Sequence, residues 1–177
     1  VAKGVAKFYA EVRQAVKPGS TRLDDYTIEL PEPTQSATQV LEQRAQQVKP
    51  GSPTWQGEVK KRSFKENDTI KTALENFARA EGMEIIWDLK YDYIVKNHFA
   101  ERSDLKSLIN KVSKVVSTDY SGNVYSYYCP KERALVISDE SKAYYEAACV
   151  TTKSARELIR ERERQEDYQR ELNLNPR

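Results

Sequence analysis

Histidine and cysteine are scarce in this sequence, with one His and two Cys among 177 residues. Those two types leave almost no ligands for a zinc or haem centre, so no metal and no other cofactor is expected. Only six Gly are present, and they assemble no Gly-rich loop that could cradle a phosphate. Nor does any apolar run approach the roughly 20 residues of a membrane-spanning helix. Charge of one sign is missing too: 29 Lys and Arg oppose 27 Asp and Glu. The resulting +2 falls short of the basic excess that bulk nucleic-acid binding calls for. Most enzyme classes are excluded by these shortages. The sequence opens on Val1, as a processed or trimmed chain would, and shows no charged-then-apolar signal segment. What is abundant is tyrosine, 11 residues against 4 Phe and 2 Trp, nine of them between Tyr91 and Tyr168. An apolar ring with a polar tip suits half-buried sheet faces and protein interfaces.

Along the chain, residues 1–53 read as an N-terminal arm. Val1, Val5, Phe8, Tyr9, Val12 and Val16 recur at three-and-four spacing, the stripe of a short helix stopped by Lys17-Pro18-Gly19-Ser20. Thr27–Thr34, with Pro31 and Pro33, reads as extended linker. A second helix over Gln35–Val48 carries a thin stripe and ends in the same Val-Lys-Pro-Gly-Ser words. An isolated helix this short is marginal in water, so the first stripe must dock on its own domain or on a neighbouring subunit.

Residues 54–139 form the core domain. A strand over Thr54–Phe64 is followed by a helix capped by Asp68, with Ile70, Ala73, Leu74, Phe77 and Ala78 inward and Gly82 as its stop. Strands are expected at Met83–Leu89 and Tyr93–Phe99, then a helix capped by Ser103 with the stripe Leu105, Leu108, Ile109, Val112, Val115 and Val116. Two more strands, Asn123–Cys129 and Ala134–Ser138, flank the turn at Pro130-Lys131-Glu132-Arg133. The order β-α-β-β-α-β-β predicts an α+β, two-layer domain with both helices on one face of a small mixed sheet. Residues 140–177 read as one long helix capped by Ser141, buried up to Ile159 and then almost wholly charged.

Little here suggests chemistry. His98 stands alone on a strand, without a neighbouring nucleophile or carboxylate motif. Carboxylate pairs at Asp24-Asp25, Asp88/Asp92 and Asp139-Glu140 lack the cleft a glycan hydrolase would need. No catalytic residue is assigned. Cys129 and Cys149, 20 residues apart, are reduced and structural in a cytosolic protein, and a disulfide in an oxidising compartment. Lys60, Lys61, Arg62 and Lys65, beside Trp55 and Phe64, raise a competing reading. With this strand order they would suit a cytosolic single-stranded nucleic-acid-binding module built like an RNA-recognition motif. Against it, the strand Tyr93–Phe99 has no Gly and only part of that motif's aromatic spacing.

The run Phe64-Lys65-Glu66-Asn67-Asp68-Thr69-Ile70, then Leu74, Phe77-Ala78 and Ala80-Glu81-Gly82-Met83-Glu84-Ile85-Ile86-Trp87, carries a resemblance. With Tyr91-Asp92-Tyr93-Ile94, Phe99, Ser103-Asp104-Leu105 and Leu108-Ile109, it resembles the C-terminal domain of the toxin-coregulated pilus biosynthesis protein Q family. Asp68, Leu74, Phe77, Gly82, Trp87, Tyr93, Phe99 and Leu105 are the positions that match, and their roles are structural. Phe77 stands where Trp is common, and no Gly precedes the second helix. That family is similar to the small N-terminal domains of secretins. The resemblance implies a non-enzymatic subunit of a Gram-negative envelope machine: a type IV pilus, a conjugation apparatus or a type IV secretion outer-membrane complex. It would sit in the periplasm or at the periplasmic face of the outer membrane, held there through partners or a lipid anchor. Expected partners are other protein subunits, in a homo-oligomeric ring or a hetero-oligomer with a secretin-like ring, and no nucleic acid. The implied compartment favours the Cys129–Cys149 disulfide. Contacts are expected from Val5, Phe8, Tyr9 and Val12 on the first helix, Tyr125, Tyr127 and Tyr128 on the sheet, and Leu158 and Ile159 on the last helix.

Overall fold

Each helix of the core begins where a short polar side chain can take up a free backbone N–H. The computed structural model describes residues 7–8, 11–12, 27–120 and 122–175. Helix α1 (Ala37–Gln47) starts in a capping box, Ser36 accepting from Gln39 N while the Gln39 side chain accepts from Ser36 N. Helix α2 (Ile70–Ala80) is capped by Thr69, whose hydroxyl accepts from Thr72 N at 3.1 Å. The expected cap, Asp68, instead joins the chain crossing: its carbonyl accepts from Val95 N. Helix α3 (Leu105–Val116) is capped by Asp104, one residue after the expected Ser103. The longer carboxylate reaches both Ser107 N and Ser107 Oγ. Gly82, at φ +71°, ends the α2 segment as the sequence indicates, in a region that disfavours any residue with a Cβ.

The strands are β1 (Thr27–Glu29), β2 (Lys60–Phe64), β3 (Glu84–Asp88), β4 (Tyr91–Tyr93), β5 (Phe99–Ser103), β6 (Tyr125–Cys129), β7 (Ala134–Ser138) and β8 (Val150–Thr151). They form three sheets: β1 with β4, β2 with β5, and a four-stranded sheet in the order β3-β7-β6-β8. In the last, β3 runs parallel to β7 and the other pairs are antiparallel. The fold is α+β, with differences from expectation in how strands divide. Tyr93–Phe99 is two strands, because Tyr91–Tyr93 pairs with β1 and Phe99–Ser103 with β2. The Pro-rich linker therefore supplies a strand, Thr27–Glu29. Residues 54–59 leave the first core strand, since Gly57 takes φ +91° and Gln56 O accepts from Lys106 N.

Cover lies on both faces of the four-stranded sheet. One face, with Ile85, Leu135, Ile137 and Tyr128, packs against Leu74, Ala78, Leu108, Ile109 and Val112 of α2 and α3. The other, with Ile86, Val136, Tyr127 and Ala134, packs against Ala37 and Leu41 of α1 and against Tyr145. The expected two layers thus become three. All five residues of β7 are buried, as the apolar run Ala134–Ile137 on a doubly covered strand should be, with Ser138 closing it. Phe8 and Val12, at 1% and 5% exposure, close the first cluster, the Phe8 ring lying edge-on to Phe99. Phe99 in turn stacks on Phe64 at 4.5 Å between centroids.

The C-terminal segment is not one helix. After α4 (Ala143–Ala148), Cys149 turns into β8, and a new helix, α5 (Ala155–Leu174), starts at its own cap, Ser154. The break follows from two constraints: Cys149 is bonded to Cys129, and Thr151 and Val150 pair with Tyr127 and Tyr128 of β6. Ser141, the expected cap, donates instead to Glu146.

Candidate functional site

The C-terminal extension is built outward from β6. Cys129 ends that strand, wholly buried, and its disulfide to Cys149 crosses a sequence separation of 20 with the Cα atoms 4.2 Å apart. Helix α4 is fastened through Asp88 at the end of β3. Its Oδ2 accepts from Ser138 Oγ and from the Tyr145 hydroxyl, each at 2.8 Å, and pairs with Lys142 Nζ at 2.9 Å. Burial pushes the Asp88 carboxyl up, but Lys142, Ser138 and Tyr145 outweigh it and hold the group below its ordinary value. Tyr145 moves the opposite way, raised by burial and then by the Asp88 carboxylate it donates to. Tyr127 donates to Glu146 Oε1 at 2.8 Å, and burial, the largest cause, pushes its hydroxyl up to about 12.

The root of α5 is held against α3. Glu157 accepts from Asn110 Nδ2 at 2.8 Å and pairs with Lys114, while Lys153 meets Glu161 at 2.7 Å. Between root, α3 and β6 lies a groove of about 550 Å³ lined by Asn110, Lys114, Tyr125, Ser126 and Leu158 among others. Its buried hydroxyls are already partnered, Ser113 with Ser126 and Ser126 with Thr152. No residue along the twenty of α5 is buried, and Leu158, Ile159, Tyr168, Leu172 and Leu174 are exposed.

The contact residues expected from the sequence fall into three groups. Val5 and Tyr9 lie outside the described residues. Phe8, Val12, Tyr127 and Tyr128 are buried in this chain's own core, so they present no free surface. Tyr128 is held by a tilted ring contact with Trp55 and by donation to Ser52 O at 2.7 Å. Leu158 and Ile159 are exposed, and Tyr125 is partly so. Of the structural positions, Leu74, Tyr93, Phe99 and Leu105 are buried, Phe77 and Trp87 pack on the same cluster, and Trp87 Nε1 donates to Tyr91 O.

The expected basic cluster is divided: Lys61 and Lys65 are exposed and Lys60 partly so, but Arg62 is buried. Arg62 shares the inward side of β2 with Phe64, and its guanidinium donates to Glu81 Oε2 at 2.7 Å, to Glu58 O at 3.0 Å and to Ser103 O. Strand alternation, which puts residues 62 and 64 on one side, was the signal for this. Of the carboxylate pairs, Asp24-Asp25 lies outside the described residues, while Asp92 Oδ1 accepts from Lys71 N and Tyr93 N. His98 is exposed. Sequence reasoning did not single out Asp88 with Tyr145, nor Glu132 beside the cysteines. Neither pairing has a local spacing that would reveal it.

Fold and site together define a small α+β domain, packed on both faces of its main sheet, with a disulfide-stapled extension that ends in an exposed helix. Residues 62–140, from within β2 to just past β7, match the family model of toxin co-regulated pilus biosynthesis protein Q. Over these residues the chain is similar to that family. No curated protein and no solved structure matches the chain. Among the described residues, no helix is long and apolar enough to cross a membrane.

Proposed function

We propose that the chain is a non-enzymatic structural subunit of a bacterial envelope-spanning machine, a type IV pilus, conjugation or type IV secretion outer-membrane complex. It would bind other protein subunits or a secretin-like ring from the periplasm or the periplasmic face of the outer membrane. The observation that carries this reading is α5, a twenty-residue helix with none of its residues buried and five large apolar side chains exposed. At 1.5 Å per residue it extends roughly 30 Å, long enough to reach across a subunit boundary. The family match supports the pilus-related setting. The contact role expected of the N-terminal stripe passes to this helix, because Phe8 and Val12 are engaged in the chain's own core. In this proposal residues 54–139 are the scaffold and residues 140–177 the contact element.

The test is reconstitution with the ring-forming outer-membrane subunit of the same assembly, read by native mass spectrometry. The full chain should enter a complex of defined mass. The double variant Leu158→Glu/Ile159→Glu should fold as before, because both side chains are exposed, and fail to enter it. Unchanged assembly of that variant, and of a second one carrying Tyr168→Glu and Leu172→Glu, would remove α5 from the contact.

A further inference from the structure

The turn between β6 and β7 places a buried carboxyl group against the disulfide. Glu132 has no exposed surface, and its Oε1 accepts from the Tyr144 hydroxyl at 2.5 Å. Its Oε2 is buried without a hydrogen-bond partner, a condition that few buried polar atoms show and that calls for an explanation. The Cys129 and Cys149 sulfurs and a Glu132 carboxylate oxygen lie within 4.8 Å of one another. The turn is fixed from outside: Arg44 Nε donates to Glu132 O at 2.7 Å and Arg44 Nη2 to Arg133 O at 3.3 Å. A Glu132 carboxylate oxygen thus lies beside the two sulfurs on a backbone that Arg44 holds.

We propose that the reduced chain binds a zinc-class divalent cation between Cys129 Sγ, Cys149 Sγ and the Glu132 carboxylate, so that disulfide and metal are alternative closures of one staple. Two thiolates and one carboxylate suit a borderline-soft ion, whereas calcium or magnesium would require an all-oxygen shell. The chemistry balances with a phosphine and water as reductant. The phosphorus takes the water oxygen, the S–S bond receives two electrons, and the two water protons go to the sulfurs. The cation then displaces one proton from each thiol and forms two metal–sulfur bonds. Glu132 gives the third bond, and water fills the fourth position. In the cell a dithiol can act in place of the phosphine, closing its own disulfide. Either closure holds the start of β8 at the end of β6, so a chain that is not yet oxidised keeps the root of α5 in place. This inference is independent of the pilus reading.

The experiment titrates the full chain, reduced with a phosphine, with Co²⁺ as probe and then with Zn²⁺ in competition. Wild type should take one Co²⁺ per chain, with thiolate charge-transfer and tetrahedral d–d bands that Zn²⁺ abolishes. The oxidised chain and the Cys129→Ala/Cys149→Ala variant should show none. Glu132→Gln should bind at least about ten-fold more weakly, with an unchanged far-ultraviolet circular dichroism spectrum. Equal affinity in wild type and Glu132→Gln, or no thiolate bands in the reduced wild type, would overturn the proposal. Tyr144→Phe keeps the carboxylate and frees Oε1, so it covers the case in which Glu132→Gln does not fold. It should still bind one Co²⁺, and loss of binding there also counts against the site.

Discussion

Reducing the Cys129–Cys149 bond in the presence of a metal chelator substitutes no residue, so the stability lost is chiefly that of the cross-link. The bond closes a loop of sequence separation 20. Chain-entropy reasoning for a loop of that length gives about 3 kcal/mol at 25 °C, drawn mainly from the unfolded state. With a urea slope of roughly 2 kcal/mol per M, the unfolding midpoint should fall by about 1.5 M at constant slope. Amide exchange supplies a second readout at residue level. Thr152 N, which donates to Ser126 O at 3.3 Å, and Cys149 N, which donates to Tyr145 O at 3.0 Å, should exchange faster on reduction. Amides of the doubly covered β7 should move only with the global change. A midpoint shift below about 0.5 M with an equal slope would refute the reasoning, because the loop entropy would then be absent from the denatured chain.

Phe8→Ala should cost about 3 kcal/mol in urea unfolding without altering the oligomeric state of the isolated chain, since the ring is buried against Phe99 in its own core. Glu81→Gln should cost about 3 kcal/mol by leaving the buried Arg62 guanidinium without its carboxylate, and adding Arg62→Met should recover part of that loss. For Asp88 the sign is set by its lowered pKa: the stabilisation is full above the ordinary carboxylate range near pH 4 and is lost as pH falls through the folded value. Stability followed by urea titration from pH 5 to about pH 2 should therefore fall less steeply in Asp88→Asn than in wild type.

Periodicity made the two central helices legible. The Leu105–Val116 stripe and the Ile70–Ala78 face both entered the core, because 3.6-residue spacing directly encodes which side is buried. Caps were read one residue early at Asp68 and Ser103, where the neighbours Thr69 and Asp104 also carry suitable oxygens and only backbone geometry chooses between them. The second layer of helices was hidden for a different reason. Ala37 and Leu41 form too thin a stripe to announce a buried face, yet the opposite side of β7, with Ala134 and Val136, needed cover. Partner strands were likewise illegible at Tyr91–Ser103, since pairing with β1 and with β2 depends on segments distant in sequence. At the extension, the charged character of α5 was visible in its composition. The break at Cys149 was not, because a covalent bond to β6 overrides a continuous helical pattern.

The turn at Pro130–Arg133 is where remote parts of the chain converge. Gly51 N donates to Pro130 O, Arg44 to Glu132 O, Glu84 N to Arg133 O, Arg133 Nε to Gly82 O, and Tyr144 to Glu132. Segments near residues 44, 51, 83 and 144 must therefore all arrive before this tip is complete. Contacts of such long sequence separation form late, after the loops between them have been closed at an entropic cost. The tip is thus tied to four separate stretches of the chain at once. The disulfide lies at the foot of a turn that α1, the end of α2 and α4 all reach, so the covalent staple and the longest-range hydrogen bonds of the domain share one place.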